Sequence, residues 1–194
     1  GVKIASEKIN KLKAKQMPIS IEEIQSFKEN LPFKLTNAQE RTIKEISEDI
    51  SLAKPMRRLV QGDVGSGKTV VAAMSMYISA KNNSQSVLLC PTEVLAEQHF
   101  KNFSAWFKNL NIKIELLTGK MPVSKRRGIY QDLENGEIDI LIGTHAVFQE
   151  KVKMKNLGLV VVDEQQRFGV KQRFDLVKKS SDQIMPHQLF MTAT

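Results

Sequence analysis

Cysteine is almost absent from this chain, and so are long apolar runs. The single cysteine, Cys90, excludes an internal disulfide and fits a reducing compartment, where we expect a packed free thiol. No apolar run approaches the roughly 18 residues that a transmembrane helix needs, and residues 1–30 lack a signal-type apolar region. These absences predict a cytoplasmic protein with no membrane partner.

Metal-ligand clusters are missing as well. The histidines His99, His145 and His187 have no cysteine partners at metal-binding spacing, which argues against a zinc site. Four aromatic residues recur at helical spacing, and core packing is favoured for them over stacking on nucleic-acid bases. These residues are Phe100, Phe103, Trp106 and Phe107.

Length and charge indicate one domain with a basic surface. With 194 residues, 41% of them hydrophobic, the chain can bury one substantial core. Its 29 Lys and Arg against 21 Asp and Glu give a formal net charge of +8, which permits a polyanionic partner. Position 1 is Gly rather than Met, so we expect the chain to begin and end inside a longer polypeptide.

From Leu31 onward, apolar strand-like runs alternate with segments of helical periodicity. Runs such as 158–162 are apolar on both faces, and the alternation therefore predicts an α/β fold with a parallel sheet covered by helices on each face. Residues 1–30 are Lys-rich and broken by Pro18, and we interpret them as a helical linker or brace from a preceding domain. Strands are predicted at 58–61, 87–90, 112–117, 138–142, 158–162 and 188–191, and helices at 37–53, 68–81, 93–109 and 124–134.

A glycine-rich loop, GDVGSGKT at 62–69, lies between a predicted strand and a predicted helix. It fits the phosphate-binding pattern G-x-x-x-x-G-K-[ST], in which main-chain N–H groups and the helix dipole surround a triphosphate. Lys68 is placed to reach the β and γ phosphates, and the Thr69 hydroxyl to bind Mg²⁺. A nucleoside triphosphate with Mg²⁺ is therefore the predicted ligand, and the loop residues expected to bind it are Gly62, Asp63, Val64, Gly65, Ser66, Gly67, Lys68 and Thr69.

Two adjacent acids, Asp163 and Glu164, follow the buried run 158–162. Such a pair is common at solvated strand ends, but the phosphate-binding loop favours a catalytic interpretation. Asp163 would hold Mg²⁺ through a coordinated water, and Glu164 would orient and deprotonate the water that attacks the γ phosphate. Together with Lys68, these two acids are the predicted catalytic residues.

Several further strings accompany the loop: PTEVLAEQH at 91–99, LTG at 117–119, GTHAVFQ at 143–149, DEQQRFGVKQR at 163–173 and MTAT at 191–194. In this order the motifs resemble those of superfamily 2 helicases, and more closely those of the RecG family of bacterial DNA translocases. The resemblance covers roughly residues 31–194. It implies the first of two RecA-like motor lobes, with the second lobe of the same polypeptide outside this chain. The related transcription-repair coupling factors share several of the strings and are the alternative.

The resemblance also assigns roles to individual residues. Gln39 would read the adenine base, although Thr36 and Gln39 equally fit a helix capping box, and the two roles are compatible. Contacts to DNA phosphates are implied for Thr92, Thr118, Gly119, Thr144 and His145, each of which could instead be a cap or turn residue. Coupling of hydrolysis to DNA is implied for Gln166, Thr192 and Thr194.

One position departs from the family pattern, because Gln166 stands where these helicases usually have His. Glutamine can donate and accept hydrogen bonds but cannot take a proton, so this departure bears on coupling rather than on nucleotide binding. The resemblance implies an ATP-dependent helicase that remodels branched or forked DNA in repair and recombination, in the bacterial cytoplasm and associated with the nucleoid. The competing interpretation is a nucleotide- and DNA-binding lobe without turnover in isolation.

Overall fold

The computed structural model describes residues 13–62, 66–164 and 184–193. Its centre is a six-stranded sheet in the order β1-β6-β5-β2-β4-β3, in which every neighbouring pair of strands is parallel. The strands are β1 (Arg57–Gly62), β2 (Gln85–Leu89), β3 (Ile114–Leu117), β4 (Ile140–Gly143), β5 (Leu157–Asp163) and β6 (His187–Ala193).

Five α-helices are described around this sheet. They are α1 (Ile21–Glu29), α2 (Asn37–Ile50), α3 (Ser66–Lys81), α4 (Glu93–Trp106) and α5 (Val123–Glu134), and a short 3₁₀ helix spans His145–Phe148. The predicted α/β class with a parallel sheet is confirmed. The predicted strands and helices all occur, with ends shifted by a few residues, whereas the 3₁₀ helix was not predicted.

The sheet is buried on both faces, because alternate residues of its central strands enter two different apolar clusters. On β5, Val161 joins the cluster formed with α1 to α4, while Val160 and Val162 join the cluster that includes Ile129 and Leu133 of α5. This burial explains why the central strands read as continuous apolar runs rather than alternating patterns.

Helix α3 runs through the larger cluster. Its residues from Val70 to Ser79 are all buried, so the helix is apolar on every side and packs between the sheet and α2. Phe27 of α1 is completely buried and stacks on Tyr77 of α3, with ring centroids 5.2 Å apart. Helix α1 therefore packs into the same core as the rest of the domain. The division at residues 30 and 31 stays a prediction.

The aromatic residues of α4 and its carboxyl end pack in or against the core, as predicted, and Phe100 is half-buried there. Phe103, Trp106 and Phe107 are all buried, and the Phe103 and Phe107 rings are 5.7 Å apart. Cys90 is a buried free thiol at the end of β2, which was also predicted.

Candidate functional site

The carboxyl ends of β1, β6 and β5 lie side by side at one edge of the sheet. In the strand register, Gly62 pairs with Ala193, Gln61 with Thr192, and Asp163 with Met191. Only β6 separates β1 from β5, so these two strands lie about 10 Å apart, which is two inter-strand spacings. The fold thus brings the glycine-rich loop and the acidic pair to one edge, where ligands of parallel α/β sheets bind.

Helix α3 begins within the glycine-rich segment 62–69, at Ser66, and points its amino end at this edge. Its first residues are Ser66, Gly67, Lys68 and Thr69, and this first turn contains no acidic residue. The first N–H groups of a helix have no partner within the helix, so these groups and the positive end of the helix dipole can bind an anion. Lys68 folds back across Gly62, where an added Cβ would lie 3.7 Å from the Lys68 Cγ. Thr69 is buried beside it.

Gln39 links α2 to the start of α3. Its main-chain N–H donates to the Thr36 hydroxyl at 3.1 Å, and its side-chain oxygen accepts from the Thr36 N–H at 2.9 Å. The capping box considered from the sequence is thus present. The side-chain nitrogen of Gln39 also donates to the Gly67 carbonyl at 3.3 Å. Both ends of the amide are therefore engaged in this structure, beside the predicted nucleotide site.

Asp163 has a partner that the sequence reasoning did not identify. The His99 Nε2 atom of α4 lies 3.1 Å from the Asp163 Oδ2 atom, and the two side chains are only 10% and 16% exposed. The helical spacing of the sequence already indicated the direction in which His99 faces. His99 shares the buried face of α4 with Ala96, Phe103 and Trp106, so it had to point toward the sheet.

Glu164 has an unusual backbone conformation at the end of β5. Its φ is +60°, in the left-handed region that non-glycine residues seldom occupy, and its N–H donates to the Met191 carbonyl at 3.0 Å. Such a conformation costs of order 1–3 kcal/mol and tends to occur at functional sites. This conformation directly follows the end of β5, next to Asp163.

The Cys90 thiol lies in the electrostatic field of the same aspartate. Burial, and secondly the negative charge of Asp163, raise the pKa of the Cys90 thiol well above its usual range. The thiol is therefore protonated at neutral pH and acts as an apolar neighbour of Asp163 rather than as a nucleophile.

The residues with an implied DNA role follow the other half of the same sheet edge. Leu89, Gly143 and Leu117 are aligned across β2, β4 and β3, so the segments that follow these strands emerge together. Those segments contain Thr92, Thr118, Gly119, Thr144 and His145. Gly119 and His145 are exposed, whereas Thr118 and Thr144 are buried.

Thr92 caps α4, because its hydroxyl accepts from the Leu95 N–H at 3.2 Å. Thr144 precedes the 3₁₀ helix without making such a side-chain cap. The structure thus confirms a capping role for Thr92, which the sequence had left open beside a DNA contact.

A family model for the DEAD/DEAH box helicases matches residues 36–194. The chain belongs to this helicase family. It is 46% identical over 191 residues to the ATP-dependent DNA helicase RecG of Aquifex aeolicus (strain VF5), a match that covers 98% of the chain and 24% of that protein. It is also 49% identical over 165 residues to RecG of Escherichia coli (strain K12), which covers 84% of the chain and 24% of that protein.

Among solved structures, this helicase domain is similar to RecG bound to a three-way DNA junction. The TM-score is 0.83 at 40% sequence identity, over 98% of this chain and 25% of that one. The resemblance to the RecG family and the RecA-like fold are both confirmed. The chain spans about a quarter of the length of these relatives.

Some predicted site residues of the helicase domain lie outside the described residues, namely Asp63, Val64, Gly65, Gln166 and Thr194. Within the described ranges, no group of three or more His, Cys, Asp or Glu side chains is arranged to hold a metal ion. No helix in those ranges is both long and apolar enough to cross a membrane.

Proposed function

We propose that this chain is the ATP-binding motor lobe of a RecG-like, ATP-dependent DNA helicase that remodels branched or forked DNA. The observation that carries the proposal is the convergence of three elements at one sheet edge: the amino end of α3, the end of β6 and the acidic end of β5. The similarity to RecG proteins over 84–98% of the chain supports the choice of motor.

ATP binding rests on α3. Lys68 would neutralise the β and γ phosphates, while the main-chain N–H groups of the loop and of the first turn of α3 donate to phosphate oxygens. The Gly62 and Gly67 positions let the chain approach the phosphates closely. At Gly67 an added Cβ would lie 3.3 Å from the Gln39 side-chain nitrogen, so a larger residue would press on Gln39. Gln39 would in turn read the adenine base by exchanging its present hydrogen bonds for bonds to the base.

The acidic pair suits a magnesium ion. Mg²⁺ is typically held by one or two protein oxygens together with substrate phosphates and waters. The Thr69 hydroxyl, and the Asp163 carboxylate through a coordinated water, would supply such oxygens. When bound, the ion would neutralise charge on the phosphates. Glu164 would act as the general base, orienting the attacking water and accepting its proton.

The rest of the sheet edge would face the DNA. Thr92, Thr118 with Gly119, and Thr144 with His145 offer hydroxyl and N–H groups that suit phosphate oxygens and carry no base information. The net charge of +8 favours the same partner. The second RecA-like lobe of the polypeptide would complete the ATP site with the arginine that stabilises the transferring phosphoryl group. Work in DNA repair and recombination, in the bacterial cytoplasm near the nucleoid, follows from this role.

Coupling of the two halves would involve Thr192, which lies on β6 between the loop and Asp163, together with Gln166 and Thr194. Replacing Gln166 with His restores the residue usual in the family. We expect Gln166→His to alter the stimulation of ATP hydrolysis by DNA while leaving nucleotide affinity unchanged. Identical stimulation in both forms would exclude a coupling role for this position.

The decisive experiment measures steady-state ATP hydrolysis by the full-length protein, with forked DNA, with linear duplex and without DNA. We expect forked DNA to stimulate hydrolysis most strongly. Glu164→Gln keeps the size of the side chain, so it should bind ATP normally while turnover falls by about 10²- to 10⁴-fold, the usual contribution of a general base. Hydrolysis that is indifferent to DNA, or unaffected by Glu164→Gln, would refute the proposal.

A further inference from the structure

His99 on α4 and Asp163 at the end of β5 form a largely buried pair. The His99 Nε2 atom lies 3.1 Å from Asp163 Oδ2, and the two side chains are 10% and 16% exposed. A carboxylate only accepts hydrogen bonds, so the imidazole Nε2–H must be the donor in this contact. Of the two carboxylate oxygens of Asp163, Oδ2 accepts this hydrogen bond from His99 and Oδ1 does not.

The other ring nitrogen of His99 supports this assignment. Nδ1 is buried and has no hydrogen-bond partner among residues 13–62, 66–164 and 184–193. A neutral ring with its hydrogen on Nε2 satisfies Asp163 and avoids burying a second N–H without an acceptor. A buried polar atom without a partner is unfavourable for folding. An apolar residue would therefore suit this position better if packing were its whole purpose.

The ring is firmly held on the helix side. His99 sits on α4 between Ala96 and Phe103, both completely buried, and the helix itself is capped by Thr92. Asp163, by contrast, ends a strand and is followed by the strained turn at Glu164. A fixed donor on α4 can therefore set the orientation of a carboxylate that stands at the end of its strand.

We propose that His99 is a positioning residue for Asp163, holding the carboxylate in the orientation that the magnesium–nucleotide complex requires. This inference rests on the proposed function, in which Asp163 serves the bound ion. Groups that hydrogen-bond a metal-binding carboxylate orient it, and their loss typically weakens metal affinity by about 10- to 100-fold. His99 itself touches neither the nucleotide nor the reacting water in this proposal.

The test measures how nucleotide binding by the full-length protein depends on Mg²⁺, with a fluorescent ADP analogue as the probe. We expect His99→Leu to raise the Mg²⁺ concentration required for half-maximal tight binding by about 10- to 100-fold. His99→Gln carries an amide N–H with the reach of Nε2 and should restore most of the affinity. His99→Asn is too short to reach Oδ2 and should behave like His99→Leu, which provides a second comparison if the leucine variant folds poorly.

A double-mutant cycle separates positioning from a general structural role. In an Asp163→Asn background, His99→Leu should change the Mg²⁺ requirement by less than about 2-fold, because the group it orients is gone. Thermal unfolding midpoints establish that each variant is folded at the temperature of the binding measurement. The positioning role of His99 would be overturned, with the proposed function left standing, in either of two cases. The first is an unchanged Mg²⁺ requirement in His99→Leu, and the second is an equal rise of that requirement in both backgrounds. Absence of Mg²⁺-dependent binding in the parent protein would overturn the proposed function with it.

Discussion

The Gln39 side-chain nitrogen donates to the Gly67 carbonyl oxygen at 3.3 Å, which ties α2 to the first turn of α3. The same amide supplies, through its oxygen, one half of the capping box with Thr36. One side chain thus stabilises a helix start and contacts the element that would receive the nucleotide phosphates. Mutation can separate the cap, which uses the side-chain oxygen, from the contact with Gly67, which uses the side-chain nitrogen.

Gln39→Glu is expected to keep the cap and lose the contact. A carboxylate still accepts from the Thr36 N–H, but it cannot donate to the Gly67 carbonyl or to an adenine base. Because the cap is kept, the unfolding free energy should fall only by about 0.5–1.5 kcal/mol, the net worth of the one hydrogen bond to Gly67. Preference for ATP over GTP should fall by up to roughly tenfold, the worth of one hydrogen bond. Gln39→Ala should lose both the cap and the contact with Gly67. An unaltered preference for ATP over GTP in Gln39→Glu and Gln39→Ala would exclude base reading by Gln39.

His187 predicts a dependence of stability on pH. Its Nδ1 accepts from the Met56 N–H at 3.0 Å and its Nε2 donates to the Lys15 carbonyl at 2.8 Å, an arrangement that only the neutral ring can make. Burial lowers the pKa of His187 in the folded chain, with a smaller opposing effect of the Lys15 carbonyl. The ring of the unfolded chain titrates near its ordinary pKa of about 6.5.

The direction in which stability changes with pH follows from proton uptake by His187. As the pH falls below about 6.5, the unfolded state binds a proton that the folded state does not bind. The unfolding free energy therefore decreases with falling pH until the pKa of His187 in the folded chain is reached. His187→Asn retains an acceptor near the Nδ1 position and should flatten this slope, while costing about 1–3 kcal/mol for the lost bond to Lys15. Urea unfolding at pH 5 to 8 measures the effect, and equal slopes in both proteins would show that His187 is not responsible.

Gly143 and Gly128 form a matched pair of tests. A Cβ on Gly143 would lie 2.6 Å from the Leu117 carbonyl oxygen and 2.7 Å from a Val147 methyl, whereas one on Gly128 would meet nothing within 4 Å. We expect Gly143→Ala to destabilise the domain by about 1–3 kcal/mol through overpacking. Gly128→Ala, on the exposed side of α5, should stabilise it by about 0.5–1 kcal/mol. Chemical denaturation compares the two, and equal effects would mean that the close approach of β3 and β4 is unimportant.

The isolated 194-residue chain should bind ATP weakly and hydrolyse it slowly or not at all. The arginine that stabilises the transferring phosphoryl group is expected from the second lobe, so turnover should appear only in the longer polypeptide. Steady-state hydrolysis by both proteins, each with and without forked DNA, provides the comparison. DNA-stimulated hydrolysis by the isolated chain would contradict the need for a second lobe.

Much of the fold was readable from the sequence because its signals are local. Apolar runs such as 158–162 mark buried parallel strands, and GDVGSGKT marks a loop between strand and helix. The rule that parallel strands end at one edge then predicts that the loop and Asp163 come together. The order β1-β6-β5 agrees with that expectation.

The remaining features depend on packing between distant segments, which periodicity does not encode. His99 and Asp163 are 64 positions apart, and only the docking of α4 on the sheet joins them. The steric need for glycine at 143 arises from Leu117 on a neighbouring strand. The left-handed turn at Glu164 breaks the local preference of a non-glycine residue, so no propensity could predict it.

The most direct test of a shared magnesium–nucleotide site is a crystal structure of the full-length protein with Mg²⁺ and a non-hydrolysable ATP analogue. We expect the Lys68 ammonium to lie about 3 Å from a β or γ phosphate oxygen, and the Asp163 carboxylate to contact the ion or its bound water, around one nucleotide. A nucleotide bound elsewhere, or Lys68 and Asp163 too far apart to share it, would exclude this site.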